Sequence, residues 1–387
     1  MAQRKSIRHP NIEHWPLDIE HGEAVPSARM LRVLAVMLVA FTLGALACGG
    51  DKSTPTTPTS PGTPNNPSGM QVDPLRDAAR SAGKLVGAAV QSGFLGDGRY
   101  SGVFSRHFNY VTAEYEMKWD PIERTRGTND FGGADAIVSY ALGNGMRVKG
   151  HALVWHGSVP SWVNGLSSTD LRAAFESHIR SVAEHFRGRV YAWDVVNEAV
   201  ADDGSGLRDT VFRQKLGDQY IADAFRIARQ ADPQALLFYN DYGGEGLNQK
   251  SNRIYELVQN LRVQGVPIDG VGLQMHITAS NPPSDANVAS NMRRLAALGL
   301  AVNISEMDVR IRDLPAQTKL ETQRSVYRSI VAVCVAEPRC DGITFWGFTD
   351  AHSWIDSQFG ADDPLLFDDQ YGAKPAYYGV LDALMRR

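Results

Sequence analysis

The sequence predicts an α/β protein, a (β/α)8 TIM barrel preceded by a signal segment and a disordered Pro/Thr/Ser linker. Short β-branched or apolar runs alternate with amphipathic stretches over residues 75–387. This alternation predicts parallel strands joined by crossover helices, and eight repeats favour a closed barrel over the alternative, an open doubly wound sheet. The predicted strands are Leu85–Val90, Tyr110–Tyr115, Arg147–Trp155, Val190–Ala199, Ala235–Tyr242, Gly270–His276, Ala301–Val309 and Gly342–Phe348.

Amphipathic stretches fill most of the gaps between these strands, with apolar residues at three- and four-residue spacing. In such a barrel, functional side chains lie at the carboxyl ends of the strands. Polar residues follow the predicted strands here, so we expect the functional site at that end. The clearest predicted helices are Asp170–Phe186, Val211–Ala231, Asn248–Gln264, Asp285–Leu298 and Gln317–Ala336.

The composition is that of a soluble globular protein with one large domain and a tail. The chain has 387 residues, of which 43% are hydrophobic and 21% charged. Its 39 basic and 43 acidic residues give a net charge of -4, without a run of like charge. Phosphate backbones require a basic surface, so nucleic acid is not expected as a partner.

Residues 1–48 are predicted to form a leader and a lipoprotein-type signal peptide. The apolar segment Val33–Ala47 follows basic residues and is shorter than a membrane-spanning helix, which needs about twenty residues. Small residues before Cys48 resemble the bacterial lipobox, in which the cysteine is lipidated. An uncleaved anchor and an ordinary signal cleaved nearby are the alternatives. Met30 would begin a more typical signal and is a candidate true start.

Residues 49–71 are predicted to be a Pro/Thr/Ser-rich linker. Between residues 53 and 69 the linker contains no apolar side chain that could join a core. Repeated prolines favour extended polyproline II geometry, with a rise of about 3.1 Å per residue, so the linker would act as a spacer. Residues 72–387 are predicted to form the barrel domain.

Two glutamates end strand-like runs, Glu198 after Val190–Asn197 and Glu306 after Ala301–Ser305. Paired carboxyl groups at strand ends suggest glycoside hydrolysis. That reaction needs a carboxylic acid to protonate the leaving oxygen and a carboxylate that acts as nucleophile or as base for water. Two carboxyl groups about 5 to 5.5 Å apart do not readily ionise together, so one of them stays protonated. Which one does so is not visible in the sequence.

Seven polar motifs follow the predicted strands. They are Thr112–Trp119, Gly150–His156, Trp193–Glu198, Tyr239–Tyr242, Gly272–His276, Ile304–Asp308 and Phe345–Trp354. With these motifs, Leu75–Arg387 resembles glycoside hydrolase family 10, the retaining endo-β-1,4-xylanases. The resemblance implies double displacement at internal β-1,4 bonds of xylan, without a metal or an organic cofactor. The signal-like segment predicts an exported protein that is either secreted or anchored in the bacterial cell envelope by a lipid, and we expect it to be a monomer.

The resemblance implies roles for individual residues. Glu198 matches the general acid/base and Glu306 the nucleophile. The supporting positions are Asn197 at the sugar 2-hydroxyl, Gln274 at the acid/base, and His276 with Asp308 at the nucleophile. The substrate-binding positions are Glu114, Lys118, His151, Trp155, Tyr242, Trp346 and Trp354. Cys334 and Cys340 match a disulfide found in many members, as expected for an exported domain.

Two positions depart from the family pattern. The asparagine expected after Glu114 is Tyr115, and the usual Ser-Gln after Trp-His is Gly157-Ser158. Both positions normally form hydrogen bonds with the glycone sugars. A tyrosine can stack or obstruct, but it cannot reproduce the paired donor and acceptor of an amide. The sequence therefore predicts altered substrate recognition with intact chemistry.

Two other functions fit parts of the sequence. An enzyme with the same mechanism could act on another β-1,4-linked glycan or on a β-glycoside. A weakly catalytic lipoprotein could capture glycan at the cell surface, although the presence of both glutamates argues against it. Three other tryptophans are expected to serve packing: Trp119, Trp162 and Trp193. No functional role is assigned to His107, His178 and His185.

Overall fold

The computed structural model describes residues 74–385, and its strands form the predicted barrel. The strands are β1 (Leu85–Val90), β2 (Tyr110–Ala113), β3 (Arg147–Trp155), β4 (Ala192–Asn197), β5 (Leu236–Asp241), β6 (Gly270–Leu273), β7 (His276–Thr278), β8 (Ala301–Arg310) and β9 (Cys340–Phe345). Parallel pairing runs from β1 through β6, then to β8 and β9, and β9 pairs with β1 to close the ring. The short strand β7 pairs with β8 beyond the end of β6.

Helices connect successive strands and cover the outside of the barrel. They are α1 (Leu75–Ser81), α2 (Gly98–His107), α3 (Trp119–Ile122), α4 (Gly132–Gly143), α5 (Ser168–His185), α6 (Val211–Leu216), α7 (Tyr220–Ala231), α8 (Gln249–Val263), α9 (Asp285–Ala297), α10 (Lys319–Ala336), α11 (Trp354–Phe359) and α12 (Pro375–Met385). Asn248 and Ser251 form a capping box that fixes the start of α8. Among residues 74–385, no helix has both the length and the apolar character to cross a membrane.

Two predicted elements are divided in the structure. The predicted helix Val211–Ala231 becomes α6 and α7, because Gly217 adopts a left-handed conformation with φ of 75° and ends α6. The predicted strand Gly270–His276 becomes β6 and β7, since Met275 has φ of 67° and interrupts the extended backbone. This second break lies at the carboxyl end of the barrel, where the polar motifs meet.

Two glycines in the barrel wall make room for large aromatic side chains. A Cβ atom at Gly150 would lie 2.1 Å from the ring of Trp193, and one at Gly270 would lie 2.3 Å from the ring of Phe238. Both rings are completely buried. Glycine is therefore needed at these positions for the two buried rings to pack directly against the neighbouring strands.

The disulfide expected from the resemblance is present. Cys334 near the end of α10 is bonded to Cys340 at the start of β9, with Cα atoms 5.3 Å apart. Both residues are buried. The bond closes the short connection between α10 and β9, and Cys340 pairs with Val302 of β8.

Candidate active site

The two glutamates lie at the carboxyl end of the barrel, on strands separated by β5 and β6. Glu198 directly follows β4, and Glu306 lies within β8. Both residues are nearly buried, Glu198 being 6% exposed and Glu306 4% exposed. Buried carboxyl groups require hydrogen-bond partners or counter-charges, so the partners of each glutamate indicate which chemistry it can perform.

Glu306 is paired with a histidine that is a cation. Its Oε2 lies 3.3 Å from Nε2 of His276, and Nδ1 of His276 lies 2.7 Å from Oδ2 of Asp308. Burial alone would lower the pKa of His276, but Asp308 and Glu306 outweigh it and raise the pKa to about 10. The imidazole therefore carries a positive charge at neutral pH, held between two carboxylates.

The charge of Glu306 is fixed by these surroundings. Its Oε1 lies 3.9 Å from Nδ1 of His151. Burial alone would raise the pKa of Glu306, but His151, His276 and Lys118 outweigh it and hold the pKa at about 2. Glu306 is thus an ionised carboxylate throughout the neutral and mildly acidic range, which is the state that a nucleophile requires.

Glu198 is surrounded by neutral hydrogen-bond donors. The indole N–H of Trp155 donates to its Oε2 at 2.8 Å, and the side-chain amide of Gln274 donates to its Oε1 at 3.0 Å. The amide of Asn197 donates to the same Oε1 at 3.3 Å. Within residues 74–385, no ion pair of 4.0 Å or less involves this carboxyl group. Its two oxygens are held in place by neutral indole and amide donors.

Asn240, which the sequence analysis did not single out, connects the two glutamates. Its side-chain amide donates to Oε1 of Glu306 at 2.6 Å and to Oδ1 of Asn197 at 2.8 Å. Its own Oδ1 accepts a hydrogen bond from the hydroxyl of Ser305 at 2.6 Å, which fixes the orientation of the amide. The residue lies in the Tyr239–Tyr242 motif, so its position at a strand end was the available signal.

Asp194 is a second residue that the sequence analysis missed. Its carboxylate lies 2.8 Å from Nζ of Lys149 and 3.0 Å from Nδ1 of His151. All three side chains are buried inside the barrel. Because Asp194 holds one ring nitrogen of His151, it fixes the imidazole that faces Glu306.

Indole rings surround the histidines of the site. The ring of Trp346 packs edge-on against that of His151, and the ring of Trp354 packs edge-on against that of His276, each with centroids 5.0 Å apart. The indole N–H of Trp354 also donates to Oδ2 of Asp308 at 2.9 Å. The last loop of the barrel therefore brings its two predicted sugar-binding tryptophans to the catalytic centre.

Lys118 and Glu114 also reach the same end of the barrel. Nζ of Lys118 lies 4.6 Å from the ring centroid of Trp155 and 5.8 Å from that of Trp346. Burial lowers the pKa of Lys118, although the surrounding glutamates oppose this shift. Glu114 accepts a hydrogen bond from the amide of Gln91 at 3.1 Å, and burial raises its pKa. Both predicted residues thus contribute polar atoms beside the aromatic rings.

Tyr242, expected to stack on a sugar, is only 5% exposed. Nζ of Lys250 lies over its ring, 3.6 Å from the centroid. The hydroxyl of Tyr242 donates to Asp202 and accepts from Arg208 at 3.1 Å. Arg208, another residue not anticipated from sequence, also donates its Nε–H to the backbone oxygen of Glu198 at 3.0 Å. This side of the site is a charged network in which Tyr242 is held rigidly.

Both residues that depart from the family pattern contact Asp120. The hydroxyl of Tyr115 donates to Oδ2 of Asp120 at 3.2 Å and accepts from Arg124 at 3.3 Å. The backbone oxygen of Ser158 accepts the N–H of Asp120 at 3.3 Å. The ring of Tyr115 borders a cavity of about 430 Å³ that Arg124 also lines.

An ionised carboxylate and a second buried carboxyl group, with indole rings around them at the carboxyl end of a TIM barrel, are the arrangement that glycoside hydrolysis requires. The sequence model of glycosyl hydrolase family 10 matches residues 74–383, and the chain belongs to that family. The expected fold, family and enzyme class, a retaining endo-1,4-β-xylanase, are thereby confirmed.

Individual relatives agree with this membership. The chain is 41% identical over 326 residues to endo-1,4-beta-xylanase B of Thermotoga neapolitana, a match that covers 82% of this chain and 93% of the relative. It is 39% identical to an endo-1,4-beta-xylanase of Agaricus bisporus, covering 79% of this chain and 92% of the relative. The crystal structure of xylanase 10B from Thermotoga petrophila RKU-1 in complex with xylobiose is similar at a TM-score of 0.79 and 40% identity, covering 82% of this chain and 98% of that one.

The structure brings together all the predicted catalytic, supporting and substrate-binding residues that it describes. The signal segment, Cys48 and the linker lie outside the described residues, so the predictions for them stay predictions.

Proposed function

We propose that Glu306 is the nucleophile and Glu198 the general acid/base of this retaining endo-1,4-β-xylanase. The observation that carries the assignment is the contrast in partners, with the cationic His276 beside Glu306 and neutral donors at the oxygens of Glu198. Neighbouring cations favour the charged form of a carboxyl group, and two adjacent carboxyl groups resist ionising together. Glu306 therefore supplies the carboxylate of the pair, and we assign proton delivery to the leaving oxygen to Glu198.

The reaction then proceeds in two displacements. In the first, Glu306 attacks the anomeric carbon, the glycosidic C–O bond breaks, and the proton of Glu198 passes to the departing oxygen. In the second, Glu198 removes a proton from water, the water oxygen bonds to the anomeric carbon, and Glu306 leaves as a carboxylate. Two inversions give net retention of the β configuration.

The remaining residues orient the substrate and the two glutamates. We assign Asn197 to the sugar 2-hydroxyl, and His276 with Asp308 to the orientation of the nucleophile. Gln274 donates to the acid/base, so it holds that carboxyl group in position. The walls and hydrogen-bonding positions of the sugar sites are assigned to Glu114, Lys118, His151, Trp155, Tyr242, Trp346 and Trp354.

Xylan is the substrate that the comparisons favour. The relatives are named endo-1,4-beta-xylanases, and one similar structure holds xylobiose. Proton NMR of freshly cleaved xylan should show the β anomer at the new reducing end before mutarotation. Reducing-sugar release should be much faster from xylan than from β-glucan. An α anomer appearing first would contradict the mechanism, whereas faster release from β-glucan would contradict only the substrate.

The cellular context is also a proposal. Residues 1–48 would direct export, Cys48 would carry a lipid, and the linker 49–71 would hold a monomeric barrel of residues 72–387 away from the membrane. The signal-like segment supports this proposal, and so does the disulfide, because such bonds persist in oxidising compartments. Labelled fatty acid should be incorporated into the protein and lost in Cys48→Ser. Light scattering of the purified barrel should give the mass of one chain.

A further inference from the structure

The acid/base glutamate has an unusual backbone conformation. Glu198 has φ of 58°, in the left-handed region that side chains other than glycine rarely adopt. In residues 74–385, Met275 and Tyr371 are the other non-glycine residues with positive φ. Such a conformation persists only where surrounding contacts impose it. The contacts that impose it therefore also determine where the carboxyl group of Glu198 points.

Tyr239 binds two N–H groups of the backbone immediately after Glu198, and Oδ2 of Asp241 lies 3.4 Å from one of them, that of Val200. The hydroxyl oxygen of Tyr239 accepts the backbone N–H of Ala199 at 3.1 Å and that of Val200 at 3.2 Å. Tyr239 lies in β5, where it pairs with Val196 of β4, and it is completely buried. The hydroxyl is thus presented from the neighbouring strand, at the point where the chain leaves β4.

The proton of this hydroxyl points the other way. Tyr239 donates to Oδ2 of Asp241, and Oδ1 of Asp241 lies 2.9 Å from Nζ of Lys250. Asp241 and Lys250 are both buried. A phenolic hydroxyl has one proton and two lone pairs. Because Asp241 takes the proton, both lone pairs are left for the two backbone N–H groups, and the hydroxyl is fully satisfied.

We propose that Tyr239 is a positioning residue for the acid/base step, acting on Glu198 through the backbone N–H groups of Ala199 and Val200. The inference rests on the proposed role of Glu198. The hydroxyl of Tyr239 binds the N–H groups of Ala199 and Val200 and the carboxylate of Asp241, not the carboxyl groups of Glu198 or Glu306. Loss of its hydroxyl should therefore impair proton transfer to the leaving group more than attack by the nucleophile.

The test uses Tyr239→Phe, which removes one oxygen and keeps the buried ring. The matched control is Tyr377→Phe. Tyr377 lies in α12 and is also buried, but its hydroxyl contacts His107 at the end of α2. For each enzyme, kcat/KM is measured on two aryl β-xylobiosides with the same sugars. The 2,4-dinitrophenolate group leaves without being protonated, whereas the phenolate group must be protonated to leave. The ratio of the two values does not depend on the fraction of folded enzyme.

Tyr239→Phe should lower kcat/KM about tenfold more on the phenyl than on the dinitrophenyl substrate, a part of the ~10²–10⁴-fold that a general acid contributes. Tyr377→Phe should leave the ratio unchanged. Asp241→Asn, which weakens the acceptor for the hydroxyl proton, should shift the ratio in the same direction and serves if Tyr239→Phe does not fold. A ratio equal to that of the wild type in the folded variants would overturn the proposal.

Glu198→Ala separates this inference from the function on which it rests. In that variant, kcat/KM should fall far more on the phenyl substrate than on the dinitrophenyl substrate, because the general acid itself is missing. If it does while Tyr239→Phe does not, only the positioning role fails. If Glu198→Ala itself shows no dependence, the acid/base assignment fails and the positioning role fails with it.

Discussion

Glu306 and Glu198 share the carboxyl end of one barrel, yet they are held by different forces. Glu306 lies within β8, where the pairing with β9 shifts register, and besides the amide of Asn240 it contacts the cationic His276 at 3.3 Å. Glu198 lies just past the end of its strand in a left-handed conformation, and its oxygens contact neutral indole and amide donors. A neighbouring charge thus stabilises the nucleophile, whereas the backbone conformation and neutral hydrogen bonds position the acid/base.

The difference follows from what each group must do. A nucleophile is needed in one protonation state, so permanent cations beside it are useful. An acid/base must hold a proton in one step and accept one in the next. Neutral donors hold the oxygens of such a group in place without adding a counter-charge.

The largest effect is expected from removing either carboxyl group. Glu306→Ala and Glu198→Ala should both abolish turnover of xylan, but they should differ on 2,4-dinitrophenyl β-xylobioside. That leaving group needs no protonation, so Glu198→Ala should still form the glycosyl-enzyme and then stall. Added azide should restore its turnover and yield a β-glycosyl azide, measured by release of dinitrophenol and by NMR of the product.

Glu306→Ala is the matched comparison, because it removes the same group from the other strand. It should stay inactive on the activated substrate, and azide should not give a product of retained configuration. If azide instead rescues Glu306→Ala with retention, the two roles are reversed.

The next largest effect is expected from removing the cation beside the nucleophile. His276→Asn should raise the pKa of Glu306 from its value of about 2, because a charge that opposes the effect of burial is lost. The carboxylate must be ionised to attack, so the acidic limb of kcat/KM should move to higher pH. At the optimum, the loss of a charge-assisted hydrogen bond should lower kcat/KM by about tenfold to a hundredfold.

His107→Asn is the control for this experiment, since His107 contacts Tyr377 away from both glutamates. Its pH profile should match that of the wild type. An acidic limb that stays in place in His276→Asn would show that this cation does not keep Glu306 ionised.

The sequence predicted the strands and the strand-end residues well because both depend on local signals. Runs of β-branched residues mark the strands, and barrel closure brings their polar ends together. Arg208 and Tyr239 were missed because their contacts depend on how a loop returns or on which strand is the neighbour. The breaks at Gly217 and Met275 were missed because neither interrupts the hydrophobic pattern on which the predictions were based.

The disulfide lies next to β8, the strand that carries Glu306, and its removal tests whether a loss of stability there also changes catalysis. Replacing Cys334 and Cys340 together by serine should lower the free energy of unfolding by about 2 kcal/mol, as expected for so short a loop. Urea unfolding would measure it. The ratio of kcat/KM between the two aryl xylobiosides should not change, because the bond lies at the opposite end of β8 from Glu306. Two free thiols in denatured, unreduced protein lacking Cys48 would show that the bond is not formed.

The smallest effect concerns the residues around Asp120, which contact neither glutamate. We predict that Tyr115→Asn combined with Ser158→Gln raises kcat/KM on short xylo-oligosaccharides about tenfold, through two regained hydrogen bonds of about 0.7 kcal/mol each. Longer chains should be cleaved at the wild-type rate, because remote sugar sites compensate. Tyr378→Asn, at an exposed tyrosine on α12, is the control and should change neither rate. Since both catalytic carboxyl groups keep their partners, the dependence on the leaving group should also stay the same. Loss of activity on short and long substrates alike would mean that Tyr115, held by Asp120 and Arg124, is a native sugar contact or part of the packing.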